Sequence, residues 1–125
     1  MIAAEDSVVE GEISVILQGR LNRTSNRWDT VIAGQENHAD GNGYGALVVG
    51  GFKNWAQTGS IFAGVYNTTV KDINEVPGCV DIDNPHIFGG SGNTSSASRA
   101  NLFGGYDQTM TCGLDNYTTV VGTGY

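Results

Sequence analysis

The sequence predicts an all-β fold, a parallel β-helix or β-roll solenoid of about seven to eight short coils. Three observations predict it. A short motif recurs along the chain, glycine accounts for 19 of 125 residues, and the stretches between motif copies are small and polar. That glycine content is about twice the usual frequency, and small polar stretches form helices poorly. Self-similarity with a short period is typical of solenoids.

The motif consists of two apolar residues, one further residue, a glycine, two variable residues and an asparagine, as in Ile61 to Asn67. Its marker glycines are Gly19, Gly34, Gly51, Gly64, Gly90, Gly105 and Gly122. The intervals between them are 15, 17, 13, 26, 15 and 17 residues, and we interpret the longest as two ordinary steps. We expect each coil to contain a strand of about five residues that ends at the marker glycine.

The domain organisation follows from the repeat. Residues 1–12 are acidic and carry no motif, so we expect a lead-in or cap, followed by a repeat domain over residues 13–125. The interval 68–85 is irregular. Gly78 could mark a degenerate coil, whereas Pro77-Gly78 is a turn signal that suits a projecting loop. We favour a distorted coil with an excursion.

The glycine and the asparagine of the motif indicate a tight corner. Glycine supplies positive φ or permits close backbone approach. Asparagine tolerates a left-handed conformation and can hydrogen-bond its own backbone. Asparagines of successive coils can also stack as a ladder.

The two adjacent apolar residues of each copy point to opposite faces of a strand. One row is Ile16, Val31, Val48, Ile61, Ile87 and Leu102, and the other is Leu17, Ile32, Val49, Phe62, Phe88 and Phe103. We expect the phenylalanines in the core. A narrow coil encloses only one row, and the second would be a larger apolar stripe than a soluble monomer normally exposes. Three copies of the chain around a common axis could bury the second row between them, although two copies or a packed neighbouring element would also cover it.

Composition excludes several classes of partner. The formal net charge of −7 disfavours nucleic acid and anionic membranes. No apolar run approaches the roughly 18 residues of a membrane span, and the N-terminal residues lack the features of a signal peptide. Cys79 and Cys112 are too few for a zinc site, and we interpret them as free thiols packed as small apolar residues.

No constellation of catalytic residues is visible, so we predict no enzyme, no cofactor and no metal site. His38 and His86 are interpreted as exposed polar residues without a paired nucleophile. Asp81 and Asp83 could face the same way, as a glycosidase pair would. A solvated acidic loop or a low-affinity Ca²⁺ contact explains them better. The Asn-x-Ser/Thr sequons at Asn22, Asn67 and Asn93 coincide with the motif asparagine, so the repeat accounts for them without glycosylation; a fourth begins at Asn116.

Aromatic residues outside the two rows are the best candidates for binding. They are Trp28, Tyr44, Trp55, Tyr66 and Tyr106. Exposed aromatic rings with polar tips suit contact with a sugar or a protein. The alternative is that they cover the flank of the roll or lie in a subunit interface.

The pattern Ser/Thr, two apolar residues, any residue, glycine, two residues and asparagine, as in Thr30 to Asn37 and Ser60 to Asn67, resembles the head repeats of YadA-type trimeric autotransporter adhesins. It is also similar to repeats in bacteriophage tail fibres and spikes. The resemblance covers about residues 14–125. It implies a homotrimer of left-handed parallel β-rolls or an intertwined triple β-helix, used as a stiff surface appendage.

The variable step and the large phenylalanines depart from the adhesin pattern and favour the phage form. The resemblance then implies a structural segment of a tail fibre or tailspike in the virion tail that attaches to the bacterial surface. Its partners would be a bacterial surface glycan or protein receptor and other fibre or virion proteins. The alternatives are the head of a bacterial trimeric adhesin on the cell surface, and part of a polysaccharide-degrading tailspike.

Overall fold

In the computed structural model, residues 4–40, 45–69, 85–96, 99–110 and 118–122 are described. They contain strands and turns and no helix, and parallel strands stack into a β-solenoid of about six turns. The strands are β1 (Ala4–Glu5), β2 (Val8–Val9), β3 (Val15–Ile16), β4 (Gly19–Arg20), β5 (Arg23–Thr24), β6 (Thr30–Ile32), β7 (His38–Ala39), β8 (Ala46–Val49), β9 (Trp55–Ala56), β10 (Gly59–Phe62), β11 (Thr68–Thr69), β12 (His86–Phe88), β13 (Thr94–Ser95), β14 (Asn101–Phe103), β15 (Thr109–Met110) and β16 (Thr119–Val121). Tyr44, Cys79, Asp81, Asp83, Cys112 and Asn116 lie outside the described residues.

Two parallel sheets and a row of single bridges run along the solenoid. Sheet one has 7 strands in the order β16-β14-β12-β10-β8-β6-β3, and sheet two has 7 strands in the order β15-β13-β11-β9-β7-β5-β2. The bridge row joins Arg20, Gln35, Phe52, Val65, Ser91 and Tyr106 in parallel register. Each coil therefore has three outward sides, those of sheet one, the bridge row and sheet two. All of this pairing joins coils of the same chain.

The coil that begins at β10 shows the path of a typical repeat. After β10, Ala63 and Gly64 turn the chain with φ of 58° and 93°. Val65 then joins the bridge row, Tyr66 forms a corner with φ of 56°, and the chain continues through Asn67 into β11. The strands have 2 to 4 residues, shorter than the predicted five, because the turn begins before the marker glycine.

The core of the solenoid is the aliphatic row of sheet one, opposite small residues of sheet two. The fully buried row is Ile16, Val31, Val48, Ile61, Ile87 and Leu102, and the facing positions of sheet two include Thr24, Ala39, Ala56, Thr69, Ser95 and Met110. The assignment of Phe62, Phe88 and Phe103 to the core is wrong, because the alternation within each strand turns them outward.

A ladder of asparagine side chains ties the coils together. The Oδ1 of Asn54 accepts a hydrogen bond from the backbone N–H of Asn67 in the next coil at 3.0 Å, and its Nδ2 donates to the carbonyl of Gly64 at 3.0 Å. The ladder consists of Asn22, Asn37, Asn54, Asn67 and Asn93, all buried, with the same bonds repeated at each step. The expected ladder is therefore present. The left-handed conformation, however, belongs to the residue before each asparagine, because the asparagine itself already leads into sheet two.

Other residues terminate this ladder at both ends. At one end the Oγ of Ser7 accepts from the N–H of Asn22 at 3.1 Å, and at the other the N–H of Gln108 donates to the Oδ1 of Asn93 at 2.9 Å. Residues 4–10 carry no motif, yet they follow the path of a coil, with β1 paired to β4 and β2 paired to β5. The acidic lead-in thus stacks in register on the first full repeat.

The 26-residue interval between Gly64 and Gly90 is one step of the solenoid and not two. Strand β10 pairs directly with β12, and β11 pairs directly with β13. Paired strands lie only about 4.8 Å apart, so no further strand fits between them. A coil interposed in these sheets is therefore excluded, while residues 70–84 themselves lie outside the described residues.

Replacing Asn54 by alanine should lower the free energy of unfolding by about 3 kcal/mol. The change removes the acceptor for the buried N–H of Asn67 and the donor to Gly64, and each buried polar group left unsatisfied costs about 1–3 kcal/mol. Urea denaturation followed by circular dichroism measures the difference. Thr68→Ala, on the outer side of the next strand, is the control and should change stability by less than about 0.5 kcal/mol. Equal losses in the two variants would contradict a structural role for the ladder.

Gly64→Ala should destabilise the fold much more than Gly89→Ala. Both glycines have positive φ, 93° and 76°, so both substitutions incur about 1 kcal/mol of backbone strain. A Cβ at position 64 would also fall on the Nδ2 of Asn67 and the carbonyl of Gly90, whereas a Cβ at position 89 meets nothing within 4 Å. Parallel thermal melts of the two variants separate the effects. Similar melting temperatures would show that close packing at the marker glycine is unimportant.

Candidate functional site

The outer side of sheet one carries a continuous row of apolar side chains, here called the apolar stripe. It consists of Leu17, Ile32, Val49, Phe62, Phe88, Phe103 and Val121, which lie in register, one at each of the seven strands of sheet one. The ring centroids of Phe62 and Phe88 are 4.9 Å apart and those of Phe88 and Phe103 are 4.6 Å apart, with nearly parallel planes. Phe103 remains 42% exposed and Val121 70% exposed. The stripe is thus an ordered apolar surface that the chain does not cover with its own described residues.

The side that carries the stripe has no acidic residue, lysine or arginine at its outward strand positions in the described part of the chain. The column beside the stripe is Val15, Thr30, Leu47, Ser60, His86, Asn101 and Thr119. The other two sides are charged. Arg23 pairs with Glu10 at 2.6 Å beside sheet two, and Lys53 pairs with Glu36 at 3.4 Å beside the bridge row. Within the described ranges, the outward strand positions of the stripe-bearing side are therefore free of formal charge, unlike those of the other two sides.

Four of the five predicted binding aromatics lie in the described ranges and are exposed, but they are not brought together into one patch. Trp55 stacks on His38 on the outer side of sheet two, with ring centroids 5.9 Å apart. Trp28 lies under the guanidinium of Arg27, whose Cζ is 4.8 Å from its ring centroid. Of these four, only Tyr66 and Tyr106 share a side, that of the bridge row, where each is 53% exposed.

Sequence reasoning missed Phe52, which belongs to the same side. Its ring contacts that of Tyr66 edge to face, with centroids 5.7 Å apart. The available signal was its position one residue after a marker glycine, since that position forms the bridge row in the six coils from Arg20 to Tyr106.

Both histidines are half-buried, so the interpretation of exposed residues is wrong for them. Each lies on an outward strand position where the neighbouring coils cover it on both sides. Burial lowers the pKa of His38 below its ordinary value of 6.5, and the carboxylate of Asp40 opposes the shift. Burial likewise lowers the pKa of His86, whose Nδ1 is buried without a hydrogen-bond partner in the described part of the chain.

His38 also contacts a hydroxyl, which the sequence did not predict. Its Nε2 lies 2.6 Å from the Oγ of Ser25. A serine hydrolase further needs a group that orients the other ring nitrogen and N–H donors for an oxyanion. The Oδ1 of Asp40 instead accepts from the Nδ2 of Asn26, and the N–H of Ser25 donates to the carbonyl of Ala39. The pair is therefore a polar contact on a sheet surface without the remaining parts of a triad among the described residues.

The described residues also bear on metal binding, membrane insertion and glycosylation. They contain no group of three or more histidine, cysteine, aspartate or glutamate side chains that could hold a metal ion. They also form no helix of a length and hydropathy that would cross a membrane. Three of the sequon asparagines, Asn22, Asn67 and Asn93, are buried in the ladder, which leaves their side chains inaccessible to glycosyl transfer in the folded chain.

Comparison of the chain with protein-family models, with curated proteins and with solved structures found no match.

In an NMR titration, His38 and His86 should both show pKa values below 6.5. Asp40→Asn should lower the pKa of His38 further, because it removes the carboxylate that favours the protonated ring, and should leave His86 unchanged. A lowered folded-state pKa means that the unfolded chain binds more protons. The histidine contribution to stability is therefore complete above pH 6.5, and it is lost as the pH falls from there through the lowered folded-state pKa. A rise in the pKa of His38 on removal of the carboxylate would contradict this electrostatic assignment.

Proposed function

We propose that this chain is a structural rod that associates with copies of itself through the apolar stripe, as a segment of an attachment fibre. The stripe is the observation that carries the proposal. Isolated exposed apolar residues are ordinary, but a contiguous row along a whole solenoid marks an interaction surface. The occupant that suits the row best is a second copy of the same side, because that copy offers an apolar row of the same length and spacing.

The distribution of charge supports self-association. Copies of a chain with a formal net charge of −7 repel one another. The described charged residues near the two other sides can remain in water when the charge-free side meets its equivalent. Burying a charge in the contact would cost several kcal/mol unless it were paired, and this side avoids that cost.

A homotrimer is the arrangement that we favour. Three copies can turn one flat side each towards a common axis, so that the phenylalanine column of each lies close to those of the other two. Full burial of a phenylalanine side chain stabilises by roughly 1.5–3 kcal/mol, and the contact would repeat at every coil. Such an assembly should resist unfolding, as a surface appendage must.

The resemblance of the repeats supports a setting in a bacteriophage tail fibre or tailspike, in the virion tail, where the rod would hold the virion to a bacterial surface. The head of a bacterial trimeric adhesin is the alternative setting for the same rod. We assign no catalytic role, because the described residues offer no nucleophile with both a base and an oxyanion site.

Light scattering should give a mass near three times 13.1 kDa for the native chain, and the assembly should survive brief warming in SDS. Phe88→Asp should give a monomer, because it places a carboxylate in the middle of the stripe on every copy. Thr94→Asp, on the outer side of sheet two, adds the same charge elsewhere and should leave the mass unchanged. Circular dichroism of both variants should be that of the native fold. A native chain that is monomeric at micromolar concentration would overturn the proposal.

A further inference from the structure

The bridge-row side contains a notch that the proposed assembly does not use. It lies between Tyr66, at the corner of one coil, and Tyr106, in the bridge row two coils further. The coil between them contributes Ser91 in the bridge row and Gly92 at the corner. We call these residues together with Asp107 the Ser91 notch. Neighbouring coils are about 4.8 Å apart, so the two flanking positions are separated by roughly 10 Å along the solenoid. That spacing admits one sugar ring and not a folded partner.

The floor of the notch is polar, because the carboxylate of Asp107 covers Gly92. Gly92 has no side chain, and the Oδ1 of Asp107 lies over it where a Cβ would stand. Ser91 is small and adds a hydroxyl. Asp107 makes no ion pair with any residue in the described ranges, so its carboxylate keeps acceptor capacity for a ligand.

The ring of Tyr66 is held in place before any ligand arrives. Phe52 packs against it at an interplanar angle of 79°, and the Nζ of Lys53 lies 5.8 Å from its ring centroid. Lys53 is itself held by Glu36. An aromatic ring that stays half-exposed although it is braced on one side offers its other face at a low entropic cost.

From this geometry we infer that the Ser91 notch binds one pyranose unit of an uncharged glycan. The C–H face of a pyranose packs on aromatic rings, and its hydroxyl groups donate to a carboxylate. Asp107 and the net charge of −7 disfavour an acidic sugar. The site lies on a different side from the apolar stripe, so it is a function additional to self-association and stands independently of it. Because one ring in an open notch buries little area, the affinity per site is in the millimolar range.

Saturation-transfer NMR with the full chain tests the inference. The probes are maltotriose, cellotriose and chitotriose as neutral sugars and trigalacturonic acid as the acidic counterpart. At least one neutral probe should receive saturation and the acidic probe should not. Tyr66→Ala and Tyr106→Ala should each weaken the binding of that probe by about tenfold, which corresponds to about 1.4 kcal/mol.

Two further variants separate the notch from other surfaces. Gly92→Asn, which tolerates positive φ, should abolish binding because it fills the floor and displaces the carboxylate of Asp107. Trp55→Ala removes an exposed aromatic from the sheet-two side and should leave binding unchanged. Circular dichroism of each variant serves as the control for folding. The inference is overturned if none of the neutral probes binds, if the acidic probe binds as well as they do, or if binding survives Gly92→Asn.

Discussion

The structure depends on one interaction, the hydrogen bonding of a buried asparagine side chain to the backbone of the next coil. At each step Oδ1 accepts from a backbone N–H in the following coil, and Nδ2 donates to a glycine carbonyl there. An amide has both a donor and an acceptor, so one side chain satisfies two backbone groups that a narrow corner would otherwise bury without partners. The marker glycine follows from this requirement, because any side chain at its position would occupy the space of the amide. The asparagine and the marker glycine of each repeat therefore depend on each other.

The repeated parts of this design could be predicted from the sequence. The aliphatic row, the marker glycines and the asparagine ladder recur at fixed positions relative to one another, so each copy reinforces the others. The first coil was missed because Ser7 replaces the asparagine. A hydroxyl can accept the hydrogen bond from Asn22, but it does not look like the motif. Similarly, the sequence does not show that the interval of 26 residues is a single step, because the pairing of β10 with β12 across it can be seen only in the structure.

Alternation alone could not decide which apolar row faces inward. Both rows are hydrophobic, and strand periodicity treats them equally. Volume decides between them, because the inward side must hold a branched aliphatic residue of sheet one against the facing residues of sheet two. Most of those facing residues are small, such as Ala39, Ala56 and Ser95. The candidate binding aromatics were harder still, because the side of the coil that each occupies depends on the path of the turns. Tyr66 and Tyr106 lie on the same side of the solenoid, whereas Trp55 and Tyr66 do not, although they are closer in sequence.

Because the interior of each coil holds the rod together, the outward positions are free to differ between coils. The corner before each asparagine illustrates this freedom. It adopts positive φ throughout the solenoid, and it is occupied by Leu21, Glu36, Lys53, Tyr66, Gly92 and Asp107. A left-handed conformation costs a non-glycine residue roughly 1–2 kcal/mol. The corner N–H offsets part of this cost by donating to a carbonyl of the preceding coil, as that of Tyr66 does to Phe52 at 3.0 Å. Since that bond uses only the backbone, the corner accepts almost any side chain. In the described ranges, one side of the rod can therefore keep uncharged outward strand positions while the bridge-row side carries aromatic and acidic groups, without a change in how the coils stack.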